Sequence, residues 1–235
     1  MFFFDPLYLL FALPALLLGL YAQIKVQSAM GRYSRVPAGT SGAQAARTLL
    51  DANTLYDVQI EESHGFLSDH YDPVKRVLRL SPQVARGNSV ASVGVAAHEA
   101  GHALQHATGY WPLQIRTGMV PVVQFGSWLG PLIFLLGWLV SGFEPKLGTS
   151  LAWAGVLAFA GVAAFAIVTL PVELDASRRA KTMLQRYFMI DQRGMAGVNA
   201  VLDAAALTYV AAAVQAIFTL LYYVFLLSGF SRRRR

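Results

Sequence analysis

Residues 89–108, SVASVGVAAHEAGHALQHAT, carry the pattern of one helix, with Ser89 placed to cap its start and Gly109 to stop its end. The apolar first half is only about nine residues long, against the roughly 20 needed to cross a bilayer as helix. This stretch is therefore predicted to be a buried helix of a folded domain, not a membrane crossing.

Outward from it, the chain is too apolar for an ordinary soluble protein. Of its 235 residues 55% are hydrophobic and 14% charged, and the mean hydropathy is +0.46. Four stretches approach or exceed crossing length: Phe3 to Ile24, Met119 to Val140, Ser150 to Val172 and Ala205 to Leu227. The last three contain no charged side chain, and their interior Gly and Pro are tolerated in lipid. The first has only Asp5 as an early charge and lacks the basic start and cleavage site of a signal peptide, so it reads as a retained anchor.

The predicted fold is membrane α-helical, with about four transmembrane helices and a small α+β domain at the membrane surface. Residues 1–25 form the anchor and 26–118 the part of the domain with the HEAGH helix. A helical hairpin over 119–172, a second part of the domain over 173–204, and a final helix with its tail over 205–235 complete the chain. Within 26–118, Ser41 precedes the helix-like GAQAARTLLDAN, Val58 to Ile60 and Val77 to Leu80 resemble short strands, and Ser81-Pro82 opens another helical element.

Four crossings put residues 25–118 and 173–204 on one face, with fourteen of the nineteen basic residues. Positive-inside reasoning places that face in the cytoplasm. The tail Arg232 to Arg235 argues the other way, unless the region from Met195 onward is not one simple crossing. The net charge of +6 suits anionic lipid. No basic–aromatic patch or binding motif accompanies it, which sets nucleic acid aside. The partner implied is the lipid bilayer; oligomeric state is not legible.

With no cysteine, any metal must be held by His, Asp or Glu. His98 and His102, four apart, present their rings on one helix face and can converge on a single ion. Glu99 lies about 100° round the helix, where it can take a proton from a zinc-activated water as that water attacks a carbonyl. The bland alternative, a satisfied polar core, would leave two His and a Glu in an apolar helix without purpose.

A third ligand is required. Gln105 and Thr108 stand where a metzincin has Gly and His, which excludes that class. His106 sits about 12 Å along the axis from His98, too far to share the ion, and suits packing or support of a ligand. Of the later glutamates, Glu144 falls on the wrong face, whereas Glu173 follows Pro171 at the end of the third crossing and is predicted to begin a helix, ELDASRRAKTMLQ. Glu173 is the expected ligand and Asp175 the runner-up, although either carboxylate also suits a helix N-terminus.

Asp175 or Ser177 could accept from the ligand histidines' second ring nitrogens. Arg178 and Arg179 could stabilise an oxyanion, although a solvated or lipid-facing basic face explains such a pair more simply. His64, Asp69 and His70 stand near the expected strands, where a substrate could add as a strand; surface-loop histidines are the plainer account.

The runs SGAQAARTLLDANTLYDVQIEE, GFLSDHYDPVKRVLRLSPQV, VAAHEAGHALQ and LPVELDASRRA resemble those of the YugP-type neutral zinc metallopeptidases of bacteria, in matching order over most of the chain. The resemblance implies a zinc endopeptidase of the gluzincin kind, with one zinc ion and a polypeptide substrate, in a bacterial inner (plasma) membrane. In it His98 and His102 match the histidine ligands, Glu99 the base and Glu173 the third ligand. HtpX-type and CAAX prenyl proteases are more distantly similar; they carry Asp four residues after the ligand glutamate, where this chain has Ser177.

Two other readings compete. A site-2-type intramembrane protease would pair HExxH with a later Asp, which Asn199 and Asp203 echo, but no Gly follows Asp203. A zinc-bound scaffold, chaperone or transporter subunit would need a closed four-ligand site or ionisable groups within the crossings, and neither is evident.

Overall fold

A computed structural model of the chain describes residues 6–63, 69–187 and 189–232. Its elements run α1 (Pro6–Tyr33), α2 (Gly42–Ala52), β1 (Gln59–Glu62), β2 (His70–Asp72), β3 (Val77–Leu80), α3 (Pro82–Arg86), α4 (Val90–Ala107), α5 (Trp111–Val140), α6 (Pro145–Arg186) and α7 (Gln192–Arg232). The chain is mostly helical, and α1, α5, α6 and α7 are long and apolar enough to cross a membrane.

These helices overrun the apolar stretches that announce them. The expected helix start at Glu173 does not exist: α6 runs unbroken through Pro171, so Glu173 and Asp175 lie well inside it. Likewise α7 is a single helix from Gln192 to Arg232, unbroken after Met195. Pro14, Pro121, Pro131 and Pro171 all sit inside helices. In an apolar setting the backbone has no alternative partner, and helix survives where water would have broken it.

Two compact units emerge. The first comprises Met1–Leu20, Ile115–Leu170 and Tyr209–Arg235. Here α5 and α6 approach backbone to backbone. A Cβ on Gly137 would meet the Ala152 nitrogen at 2.3 Å, and one on Gly155 the Phe134 nitrogen at 2.4 Å. Small residues are the means by which apolar helices pack closely in lipid. Phe134 also stacks on Tyr223, with ring centroids 4.5 Å apart.

The second unit comprises Tyr21–Gln114 and Pro171–Thr208 and contains the sheet and the candidate site. Helix α2 begins with a capping box, in which Ser41 Oγ accepts from Gln44 N at 3.3 Å and Gln44 Oε1 accepts from Ser41 N at 3.2 Å. The sheet order is β1-β3-β2, with β1 parallel and β2 antiparallel to β3.

Strand β2 was not expected. It is three residues long, too short for alternation to show, and exists because Tyr71 buries itself opposite Leu78. His70 therefore belongs to a strand, not a surface loop, while Asp69 accepts from Ser81 N and Oγ at 2.7 and 3.1 Å. His64 lies outside the described residues.

Helix α4 matches its predicted span, with Ser89 Oγ accepting from Ser92 N at 3.2 Å. At its other end Gly109 adopts φ +66°, Gly109 N donates to His106 O and Tyr110 N to Gln105 O, a Schellman closure. The α4 residues Val93, Ala96, Ala97 and Ala100 are buried with Leu49, Leu78, Leu80, Leu184 and Val198 in one core. The helix is thus held rigid on both sides of its two histidines.

Candidate metal centre

The four-residue spacing of His98 and His102 puts their rings one above the other on α4, with centroids 4.8 Å apart and planes at 86°. The carboxylate they face comes from α6, 75 residues on: Glu173 Oε2 lies 3.1 Å from His98 Nε2 and 3.6 Å from His102 Nε2. Among the described residues these three form the group that could hold a metal ion, one ligand atom from each lying within 4.8 Å of the others.

The approach of the two helices depends on Gly101, inside the HEAGH run. A Cβ there would stand 2.5 Å from the carbonyl oxygen of Ala176, one turn beyond Glu173. Any side chain would lift α6 away from the histidines.

The other ring nitrogens are also held. His98 Nδ1 is 3.1 Å from Ser177 Oγ, one of the partners expected for a ligand histidine. His102 Nδ1 meets neither Asp175 nor Ser177 but Gln105 Oε1, at 2.9 Å. Gln105 is fully buried, and its Nε2 donates to Val172 O at 2.8 Å and to Asp175 Oδ2 at 2.9 Å. Both of those neighbours only accept, so the amide NH2 must face them and its oxygen must face the ring. His102 Nδ1 therefore carries a proton, and it is Nε2 that faces Glu173.

Asp175 acts one step removed, and its carboxylate does not join the three-residue group. It accepts from Gln105, from Arg179 Nε at 2.5 Å and from Arg178. Arg179 also donates to Thr108 Oγ1 at 3.2 Å and lies over the Tyr110 ring. Arg178 and Arg179 are thus engaged with Asp175, and Arg178 is largely exposed.

Both carboxyls lie past the apolar stretch that ends at Val172. Burial pushes the Glu173 carboxyl up, but its contacts with His102 and His98 outweigh this and hold it well below the usual carboxylate range. Burial also opposes ionisation of Asp175, and the hydrogen bonds from Gln105, Arg179 and Arg178 reverse it. Both are ionised at neutral pH.

Two imidazole nitrogens and one carboxylate oxygen directed at a common point suit a cation between them, and nitrogen–nitrogen–oxygen donors of this kind suit zinc. Glu99, next to His98 on α4, is buried. His106 is not part of the group; its Nδ1 lies 2.9 Å from Tyr71 Oη, tying α4 to β2. Asp203 pairs with Lys181 at 2.5 Å and not with the histidines.

The residue missed from sequence was Gln105. A polar side chain three residues after His102, on a helix whose neighbours there are Gly101, Ala103 and Leu104, is the signal that could have found it.

Comparison with known proteins gives the family. The model of a family described as "putative neutral zinc metallopeptidase" matches residues 8–228. "Putative membrane protease YugP" of Bacillus subtilis (strain 168) is 45% identical over 220 residues, covering 93% of this chain and 95% of that protein. No solved structure matches the chain. Matched along nearly its whole length, the chain belongs to the neutral zinc metallopeptidase family so described.

Proposed function

We propose that the protein is a membrane zinc endopeptidase of the gluzincin kind, cleaving membrane or membrane-associated polypeptides at the cytoplasmic surface. In this reading His98 Nε2, His102 Nε2 and a Glu173 carboxylate oxygen hold one zinc ion. Residues 26–118 and 173–204 act together as a zincin-like catalytic domain. The observation that carries the proposal is the convergence of Glu173 on His98 and His102 from a separate helix, with each histidine held from behind.

Zinc bound there supplies Lewis acidity, polarising the scissile carbonyl and lowering the pKa of a water toward about 7. Glu99 is the general base. Its carboxylate takes a proton from the attacking water and returns it to the nitrogen of the leaving amine. Gln105 and Ser177 keep the two imidazoles turned so that their Nε2 lone pairs stay aimed at one point. The surrounding core keeps the pair from swinging apart.

The test uses detergent-purified protein assayed for bound zinc and for casein cleavage. Glu99→Gln is expected to keep zinc and lose cleavage, and Glu173→Ala to lose zinc affinity. Undiminished cleavage by Glu99→Gln would refute the mechanism, and full zinc retention by Glu173→Ala would move the third ligand elsewhere.

A further inference from the structure

The second unit contains a cleft of about 460 Å³ between α1 and α7, lined by residues that the proposed chemistry does not use. Its α1 wall is formed by Lys25, Ser28, Ala29 and Arg32, spaced i, i+3, i+4 and i+7 and so on one helix face. Its α7 wall repeats that spacing with Ala200, Asp203, Ala204 and Leu207. One wall is cationic and hydroxylated; the other is mostly small and apolar.

The cations are available. Among the described residues neither Lys25 nor Arg32 is paired with a carboxylate. Each lies against a tyrosine instead, Lys25 5.5 Å from the Tyr21 ring centre and Arg32 5.5 Å from that of Tyr33. The acid in the cleft, Asp203, is taken by Lys181 at 2.5 Å. The cleft therefore keeps the positive charge of both α1 side chains.

Its level in the chain is also informative. Lys25 is the first charge after the apolar run of α1, and Asp203 is the last before the apolar run of α7. Both walls change from apolar to charged at this cleft, as helices do at a membrane surface. Tyr21, one turn before Lys25, is an amphipathic side chain that favours such a level.

We propose that this cleft binds the phosphodiester headgroup of an anionic phospholipid. Lys25 and Arg32 reach the phosphate from positions two turns apart, Ser28 donates to its oxygens or to a headgroup hydroxyl, and Ala200, Ala204 and Leu207 face the glycerol and the start of an acyl chain. This assignment rests on the membrane character of the helices and is independent of the peptidase reading.

The experiment places the full-length protein in nanodiscs of equal phosphatidylglycerol and phosphatidylcholine and counts retained lipids by native mass spectrometry. Wild type is expected to retain phosphatidylglycerol preferentially. Lys25→Gln with Arg32→Gln should reduce that retention about tenfold, given the strength of cation–headgroup attraction. Lys25→Arg with Arg32→Lys should restore it.

Ala29→Trp, which keeps both cations and fills the cleft, should lower retention similarly. That variant decides the matter should the double glutamine variant fail to fold. Equal retention of the two lipids, or retention unaffected by Ala29→Trp, would overturn the proposal. Displacement of the lipid by millimolar inorganic phosphate would overturn it in favour of a free-anion site.

Discussion

Gln105→Leu removes one amide from the centre of the site and leaves its volume nearly unchanged. The substitution deletes the acceptor on His102 Nδ1 and the donor to Val172 O and Asp175. Val172 O keeps its place in the α6 ladder and Asp175 keeps Arg178 and Arg179, so the group left without a partner is the His102 N–H. A buried donor stripped of its acceptor costs about 1–3 kcal/mol. The same ring is also free to turn its Nε2 away from Glu173, and loss of such an outer partner weakens metal binding by about 10- to 100-fold.

Zinc competition against a chromophoric chelator, in detergent at fixed pH, measures this directly. The dissociation constant of Gln105→Leu should rise by at least about tenfold, with the helical spectrum unchanged. Zinc affinity within twofold of wild type would refute the claim that Gln105 orients His102.

Four further outcomes follow from the same contacts. Gly101→Val drives a side chain into Ala176 O and should cost about 1–3 kcal/mol in thermal unfolding and abolish zinc binding, whereas substitution at exposed Gly31 should change neither. Arg179→Met should destabilise by less than the roughly 3 kcal/mol of a broken buried pair, because Gln105 and Arg178 remain on Asp175. Chelation should lower the unfolding midpoint, since it removes an ion that only the folded arrangement of the three residues can hold, and Glu173→Gln should shrink that shift.

The fourth concerns pH. The Lys75 N–H holds the Asp72 carboxyl below its ordinary value, aided by Arg79 and the Val74 N–H against the opposing effect of burial. A depressed carboxyl stabilises above its unfolded pKa of about 3.9 and loses that contribution as pH falls toward the lower folded value. Hydrogen exchange at Val74 and Lys75, corrected for intrinsic rates, should lose protection below about pH 4, and Asp72→Asn should remove the pH dependence.

Much of the molecule is written in local pattern. Apolar runs of crossing length announce four long helices because backbone in lipid must satisfy itself. Ser89 and Gly109 bound α4 because capping is a matter of adjacent residues. The absence of cysteine and the four-residue spacing of His98 and His102 select the kind of metal site, since helical periodicity places both rings on one face.

What local pattern does not contain is the approach of α6 to α4. Pro171 reads as a boundary from sequence, yet α6 runs through it, and Glu173 reaches the histidines from mid-helix. The choice among Asp175, Ser177 and Gln105 as partners of the two rings turns on how far apart those helices lie. That distance is set by Gly101 against Ala176, and no spacing along one chain segment encodes it. Strand β2 likewise exists only through its pairing with β3. Sequence alone determined the chemistry of the donors, and tertiary packing decided which of them meet, because burial and close approach are properties of pairs of elements and not of either one.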